Sequence, residues 1–231
     1  MELANQDQVE GLDPKFGAMA AEMGNRAWGL PGLTMREKTF LFIAADLCSG
    51  GLGFPLATHV QMGGMHGVTL PECRAAIRHL APYVGYPTAA VALQQLRHNA
   101  AEPASGDGDP QPVPARPGTG GAPVIPDAAA GKLRELDSDF ADLVTGQYQR
   151  RWRDDPDLSP RERALTCLAT DVLNQTLGDS LALHVRLALA ESVPVADIHA
   201  TLLLVSEYGL GKAWQSYDAV ARHMASIASP E

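Results

Sequence analysis

The feature that most constrains this chain is a repeat within it. Shifting the first half by 125 residues carries Leu33 onto Leu158, and the register then holds without a gap. Arg36-Glu37 falls on Arg161-Glu162, Asp46 on Asp171, and Leu52-Gly53 on Leu177-Gly178. Leu56-Ala57 meets Leu181-Ala182, His59-Val60 meets His184-Val185, Val68 meets Val193 and Tyr83 meets Tyr208. Upstream, a shift of 124 aligns Phe16 with Phe140 and Trp28 with Trp152. Chance supplies a few such matches, but not a run of them in one register. One structural unit is therefore built twice, and any element assigned to one half must also serve the other.

The break between the copies falls at 99–131, crowded with Pro and Gly around one apolar pair, Val124-Ile125. Pro removes a backbone donor and Gly adds chain entropy, so this run is expected to be a flexible linker. The domains are then 1–98 and 132–231.

Each copy reads as helices. Thr34-Met35-Arg36-Glu37, Ser159-Pro160-Arg161-Glu162 and Thr69-Leu70-Pro71-Glu72 have the spacing of capping boxes, in which hydroxyl and carboxylate satisfy free backbone donors. Phe40, Leu41, Ile43, Ala44 and Leu47 give the first of these helices a broad apolar face suited to burial. Gly50, Gly51 and Gly53 are expected to stop it. In the second copy Gly178-Asp179-Ser180 supplies a stop and then a cap. Pro82 and Gly85 are expected to break the helix that opens at Thr69. Period-two alternation is missing, so the expected fold is all-α: two similar helical bundles.

Composition removes several functions. Asp plus Glu total 27 against 18 Lys plus Arg, a formal charge of −9, with no basic run, which argues against nucleic acid as a partner. No apolar run is long enough to span a membrane. The N-terminal residues lack a signal-peptide pattern. The three cysteines, Cys48, Cys73 and Cys167, are too widely spaced for a disulfide framework or a thiolate metal site, and read as free thiols in a reducing cytoplasm. There is no phosphate loop, dinucleotide fingerprint or metal-spaced cluster, so neither a cofactor nor a metal is expected.

Imidazole can give and take protons near neutral pH, and His59 and His184 stand at equivalent places in the two copies. They are the candidate catalytic residues; the alternative is a core histidine with both nitrogens bonded. Asp46 and Asp171 lie within apolar helices, and a buried carboxylate needs a partner. His66 lies two helical turns beyond His59. Tyr83 and Tyr208 are matched phenols, and Arg186 follows His184 on another helix face. With Tyr86, these form the candidate substrate-binding set. Glu207 and Lys212 are peculiar to the second copy; Lys212, beside Gly211, reads as a carboxylate clamp or, more commonly for a lysine, as solvated surface.

The pattern Thr/Ser-x-Arg-Glu, apolar helix, Gly break, Leu-x-x-His-Val and Gly-Val-Thr, with His79-Leu80-Ala81-Pro82-Tyr83-Val84-Gly85-Tyr86-Pro87 in the first copy, resembles the carboxymuconolactone decarboxylase family. That family also holds the alkylhydroperoxidase D proteins. The resemblance covers about 13–98 and 133–226. It implies a compact helical bundle and a homo-oligomer, with a tandem chain standing for a pseudo-dimer that assembles as a trimer or dimer. The peroxidase branch requires Cys-x-x-Cys before the histidine; those positions are Leu52 and Pro55, and Leu177 and Ser180. The decarboxylase branch implies a cofactor-free lyase with His59 or His184 as acid/base. The resemblance also implies a family arginine at Arg186, where the first copy has Gln61. The family's glutamates fall on Thr39 and Ala164, and on Pro55 and Ser180. The expected function is decarboxylation, cyclisation or isomerisation of a small cyclic or aromatic-derived carbonyl compound in specialised metabolism. The other reading is a non-catalytic ligand-binding or scaffold protein that kept the fold.

Overall fold

A computed structural model describes residues 3–100, 124–154 and 158–228, and no strand occurs among them. The first copy comprises α1 (Gln6–Leu12), α2 (Pro14–Trp28), α3 (Met35–Ser49), α4 (Phe54–Met65), α5 (Leu70–Val84) and α6 (Tyr86–Ala100). The second comprises α7 (Asp127–Leu136), α8 (Ser138–Gln149), a π-helical turn (Arg150–Asp154), α9 (Pro160–Asn174), α10 (Asp179–Ala190), α11 (Val195–Val205), a 3-10 turn (Ser206–Tyr208) and α12 (Leu210–Ala228). The copies match helix for helix, so the fold is all-α and duplicated as the repeat demands.

All three capping boxes form, at Thr34 with Glu37, Ser159 with Glu162 and Thr69 with Glu72. Gly50 ends α3 at φ 76°, a left-handed conformation that a Cβ disfavours. Other expectations need correction. The helix α5 runs through Pro82 and stops only at Gly85, because a proline in the last turn forfeits one bond while the Gly85 amide still reaches Ala81. The cap of α10 is Gly178 without a side-chain bond, since the Ser180 hydroxyl is spent on Asp171. The connector is also shorter than 99–131. Helix α6 runs to Ala100, and α7 starts at Asp127, where Ala128–Ala130 favour helix. Val124 and Ile125 are buried, so the chain is anchored before α7 begins. The rest of the expected linker, 101–123, lies outside the described residues.

The copies share one core. Helices α3 and α9 pack on each other at the centre, and both are buried nearly all round, Glu37–Leu47 and Glu162–Leu173. Their first turns exchange ion pairs across a pseudo-two-fold. Arg36 Nε donates to Glu162 Oε1 at 2.6 Å, and Arg161 Nε donates to Glu37 Oε1 at 2.6 Å. Each arginine also pairs within its own copy, Arg36 with Glu72 and Arg161 with Asp197. The four residues expected only to start helices therefore also fasten the copies together. Behind them, the buried Lys38 Nζ donates to the Trp28 carbonyl at 2.6 Å, and Arg163 does the same for Trp152. A cation on a helix's last carbonyls suits its dipole. These bonds fix where α2 and the π turn lie against α3 and α9.

Candidate functional site

Each copy builds one imidazole–carboxylate pair between two neighbouring helices. In the first, Asp46 on α3 faces His59 on α4, with Oδ2 2.7 Å from Nδ1. Asp46 is fully buried, and its other oxygen accepts the Tyr208 hydroxyl at 2.9 Å from the opposite copy. Burial foremost, then Asp46 itself, holds the Tyr208 phenol far above its usual range, so it stays a donor. In the second copy Asp171 on α9 faces His184 on α10, with Oδ2 2.5 Å from Nδ1. Here Thr176 and Ser180 supply the hydroxyls, at 2.6 and 2.7 Å from Oδ1. The partner that a buried aspartate demands is, in both copies, the matched histidine. A carboxylate on Nδ1 favours the ring proton there and leaves Nε2 as the second polar atom of each ring.

The two pairs differ in access. His59 lies flat on Phe42, centroids 4.4 Å apart, and Phe42 lies on Trp28 at 4.7 Å. The imidazole forms part of the wall of a cleft of about 310 Å³ between the α1–α2 hairpin and α4. That cleft is mostly apolar, with Leu3, Phe16, Trp28, Phe54 and Met62 among its walls. Its polar groups are few and include Thr58, His59 and Glu207. Glu207 arrives from the 3-10 turn of the other copy. The residue is exposed at the rim, yet partial desolvation against the cleft wall raises its carboxyl above the ordinary range; nearby His59 opposes that rise and Asp46 adds to it.

His184 has no exposed surface. Tyr148 on α8 stacks on it, centroids 5.6 Å apart, with Oη 3.3 Å from Nε2. Trp152 stacks at 6.0 Å and Tyr83 meets the ring edge at 5.5 Å. A second cleft, of about 410 Å³, lies beyond Tyr148, and the imidazole does not line it. The cause is one position. The register that pairs Phe16 with Phe140 and Trp28 with Trp152 pairs Tyr148 with Gly24. Gly24 lines the first cleft, and only Leu3 would touch a Cβ placed on it, at 3.1 Å. The absent side chain leaves the first imidazole uncovered.

The substrate-binding candidates divide between the sites. Tyr208 of the second copy serves Asp46 of the first. Tyr83 of the first copy packs on His184 of the second and accepts a bond from Trp152 Nε1 at 3.0 Å. Arg186 lines the second cleft. His66 and Tyr86 are not brought to either cleft. His66 ends α4 in solvent because the helix terminates there, and Tyr86 is 58% exposed with its hydroxyl on Gln147. Sequence reasoning missed Gly24 and Tyr148, although the 124-residue register pairs them, and gave no site role to Glu207, which is exposed and still lines the first cleft. No group of three or more metal-ligating side chains occurs among the described residues. No helix among them is long and apolar enough to cross a membrane.

Comparison with known proteins agrees with the repeat. The carboxymuconolactone decarboxylase family matches twice, over residues 14–98 and 138–223. A crystal structure from Burkholderia xenovorans, of a candidate gamma-carboxymuconolactone decarboxylase subunit, superposes with a TM-score of 0.54 at 20% identity, covering 96% of this chain and 88% of that one. That likeness concerns the fold. No curated protein matches the chain.

Proposed function

Because the chain belongs to the carboxymuconolactone decarboxylase family, we propose that it is a cofactor-independent acid/base catalyst acting on a small cyclic carbonyl compound held in the first cleft. One observation carries the reading: the His59–Asp46 pair opens onto a largely apolar cavity of small-molecule size. His59 Nε2 is the reacting nitrogen. It takes a proton from carbon, or returns one after CO2 has left, while Asp46 stabilises the imidazolium that forms between those steps. In a decarboxylation His59 first takes the proton of the substrate's carboxylic acid, the C–C bond to CO2 breaks, its electron pair moves into the conjugated carbonyl, and His59 returns that proton to the carbon. Glu207 offers a carboxyl that holds its proton to higher pH than usual, suited to hydrogen-bonding the oxygen where charge gathers. It brings an acid to a cleft in which the family's glutamate position is Pro55, itself a wall residue.

The test is NMR in D2O with a panel of lactone carboxylic acids and cyclic β-keto acids. Solvent deuterium should appear at the carbon that loses CO2 or a proton. Incorporation should vanish with His59→Gln and persist with His184→Gln. Binding without turnover across the panel would favour the ligand-binding reading instead.

The same proposal includes a homo-oligomer. Leu12, Phe16 and Met19 are exposed, and so are their repeat partners Leu136, Phe140 and Leu143. A matched apolar face on each copy suits burial against further copies of the chain. Sedimentation velocity should show a dimer or trimer, and a monomer at micromolar concentration would overturn this part.

A further inference from the structure

The second cleft is not a worn copy of the first. We infer that it is a ligand site in its own right, with Lys132 and Arg186 in its wall, for a small apolar molecule bearing a carboxylate. Its walls include Ile125, Leu133 and Phe140, so the body of the ligand is apolar. Its charged lining residues are Lys132, Arg186 and Asp179. Lys132 and Arg186 are exposed and form no ion pair among the described residues. Their repeat partners are Gln8 and Gln61, so both cations belong to this copy alone. The first cleft has the opposite character, with Glu207 as its charged wall residue besides His59. Like charge repels and unlike attracts, so the two clefts select different molecules.

Tyr148 gives the ligand an aromatic wall. Its ring lines the cleft while its hydroxyl touches His184 Nε2 behind. Burial, then the neighbouring Cys167 and Asp171, pushes the phenol well above its usual range, so it remains an O–H donor. Charge-assisted bonds from guanidinium and ammonium to one carboxylate are the strong kind. His184 and Asp171 act as positioning residues that hold the Tyr148 ring; they do not touch the ligand. This site is independent of chemistry at His59.

Benzoate and its uncharged analogue benzamide are the probes, used with the full chain carrying labelled isoleucine and methionine methyls. Benzoate should show contacts to the Ile125 methyl, and calorimetry should find benzamide at least about tenfold weaker. Lys132→Gln with Arg186→Gln should erase that preference; both side chains are at the surface, so the variant folds. Tyr148→Phe should weaken both probes and keep the preference. Contacts to the Met62 methyl instead would put benzoate in the first cleft and overturn the inference. So would equal affinity for the two probes, no response to the double variant, or no binding at all.

Discussion

The two copies carry the same imidazole–carboxylate pair at the same helical places, and only one of them meets a cavity. His59 stands beside open space with Asp46 buried behind it, while His184 is capped by an aromatic side chain. The difference traces to a glycine in α2 where α8 has a tyrosine. It teaches that duplication preserved the buried machinery while access diverged at the wall. The supporting bonds have diverged too: a phenol from the other copy serves Asp46, and two local hydroxyls serve Asp171. The cross-copy phenol that could have served Asp171, Tyr83, is engaged with Trp152 instead.

The sharpest way to break this comparison is to remove each imidazole. With a turned-over substrate, His59→Gln should lower the rate about 10²–10⁴-fold, the share typical of a general acid/base. His184→Ala should leave that rate nearly unchanged but cost about 3 kcal/mol in denaturant unfolding, since it strands a buried carboxylate. Equal rate losses in both variants would erase the distinction between the copies.

Exchanging the wall residues comes next. Gly24→Tyr should shield His59, and Tyr148→Gly should uncover His184. Acylation by diethyl pyrocarbonate, mapped by mass spectrometry, reads both. In the wild type His59 should react and His184 should not. Each exchange should shift the corresponding rate by about tenfold or more, as a buried side chain becomes reachable only through local opening. If His184 stays inert in Tyr148→Gly, the cap is not what seals it.

The matched phenols then separate function from packing. Tyr83→Phe leaves the Trp152 N–H without its acceptor, at a cost of about 1–3 kcal/mol and no change in the pH profile of turnover. Tyr208→Phe should cost a similar amount and also move that profile, because the lost bond was to Asp46. A profile that ignores Tyr208→Phe would remove it from the site.

A last difference is a pH slope that only one copy generates. Burial, with Arg163 and His184 nearby, lowers His79 from its ordinary 6.5 to about 3. The unfolded chain therefore binds this proton first, and stability falls as pH drops from 6.5 toward 3. His79→Leu installs the residue its partner position, Leu204, already has, and should flatten the slope in that window. An unchanged slope in urea titrations would show that other groups set it.

Much of the fold was legible in the chain alone, for local reasons. Capping boxes and apolar helices are written in neighbouring residues, and the repeat made each copy a check on the other. The dyads were half legible: matched His and Asp were both suspect, but thirteen residues apart on different helices they announce no bond. Pro82 and Asp127–Gly131 misled because Pro and Gly content signals breaks without saying where a helix can absorb one. Glu207 was unreadable as a site residue, since nothing local distinguishes a surface glutamate from one at the rim of another copy's cleft.

The sequence by itself determined the helices, their duplication and the buried groups that must pair, because those follow from periodicity, capping and the cost of stranding a charge. Which copy is open, and which residues serve which carboxylate, was decided by tertiary structure. Packing α3 on α9 carries Tyr208 and Glu207 across to Asp46 and His59, and Tyr83 across to His184. Such exchange depends on how two surfaces dock, and a side chain's reach in space is not encoded in its distance along the chain.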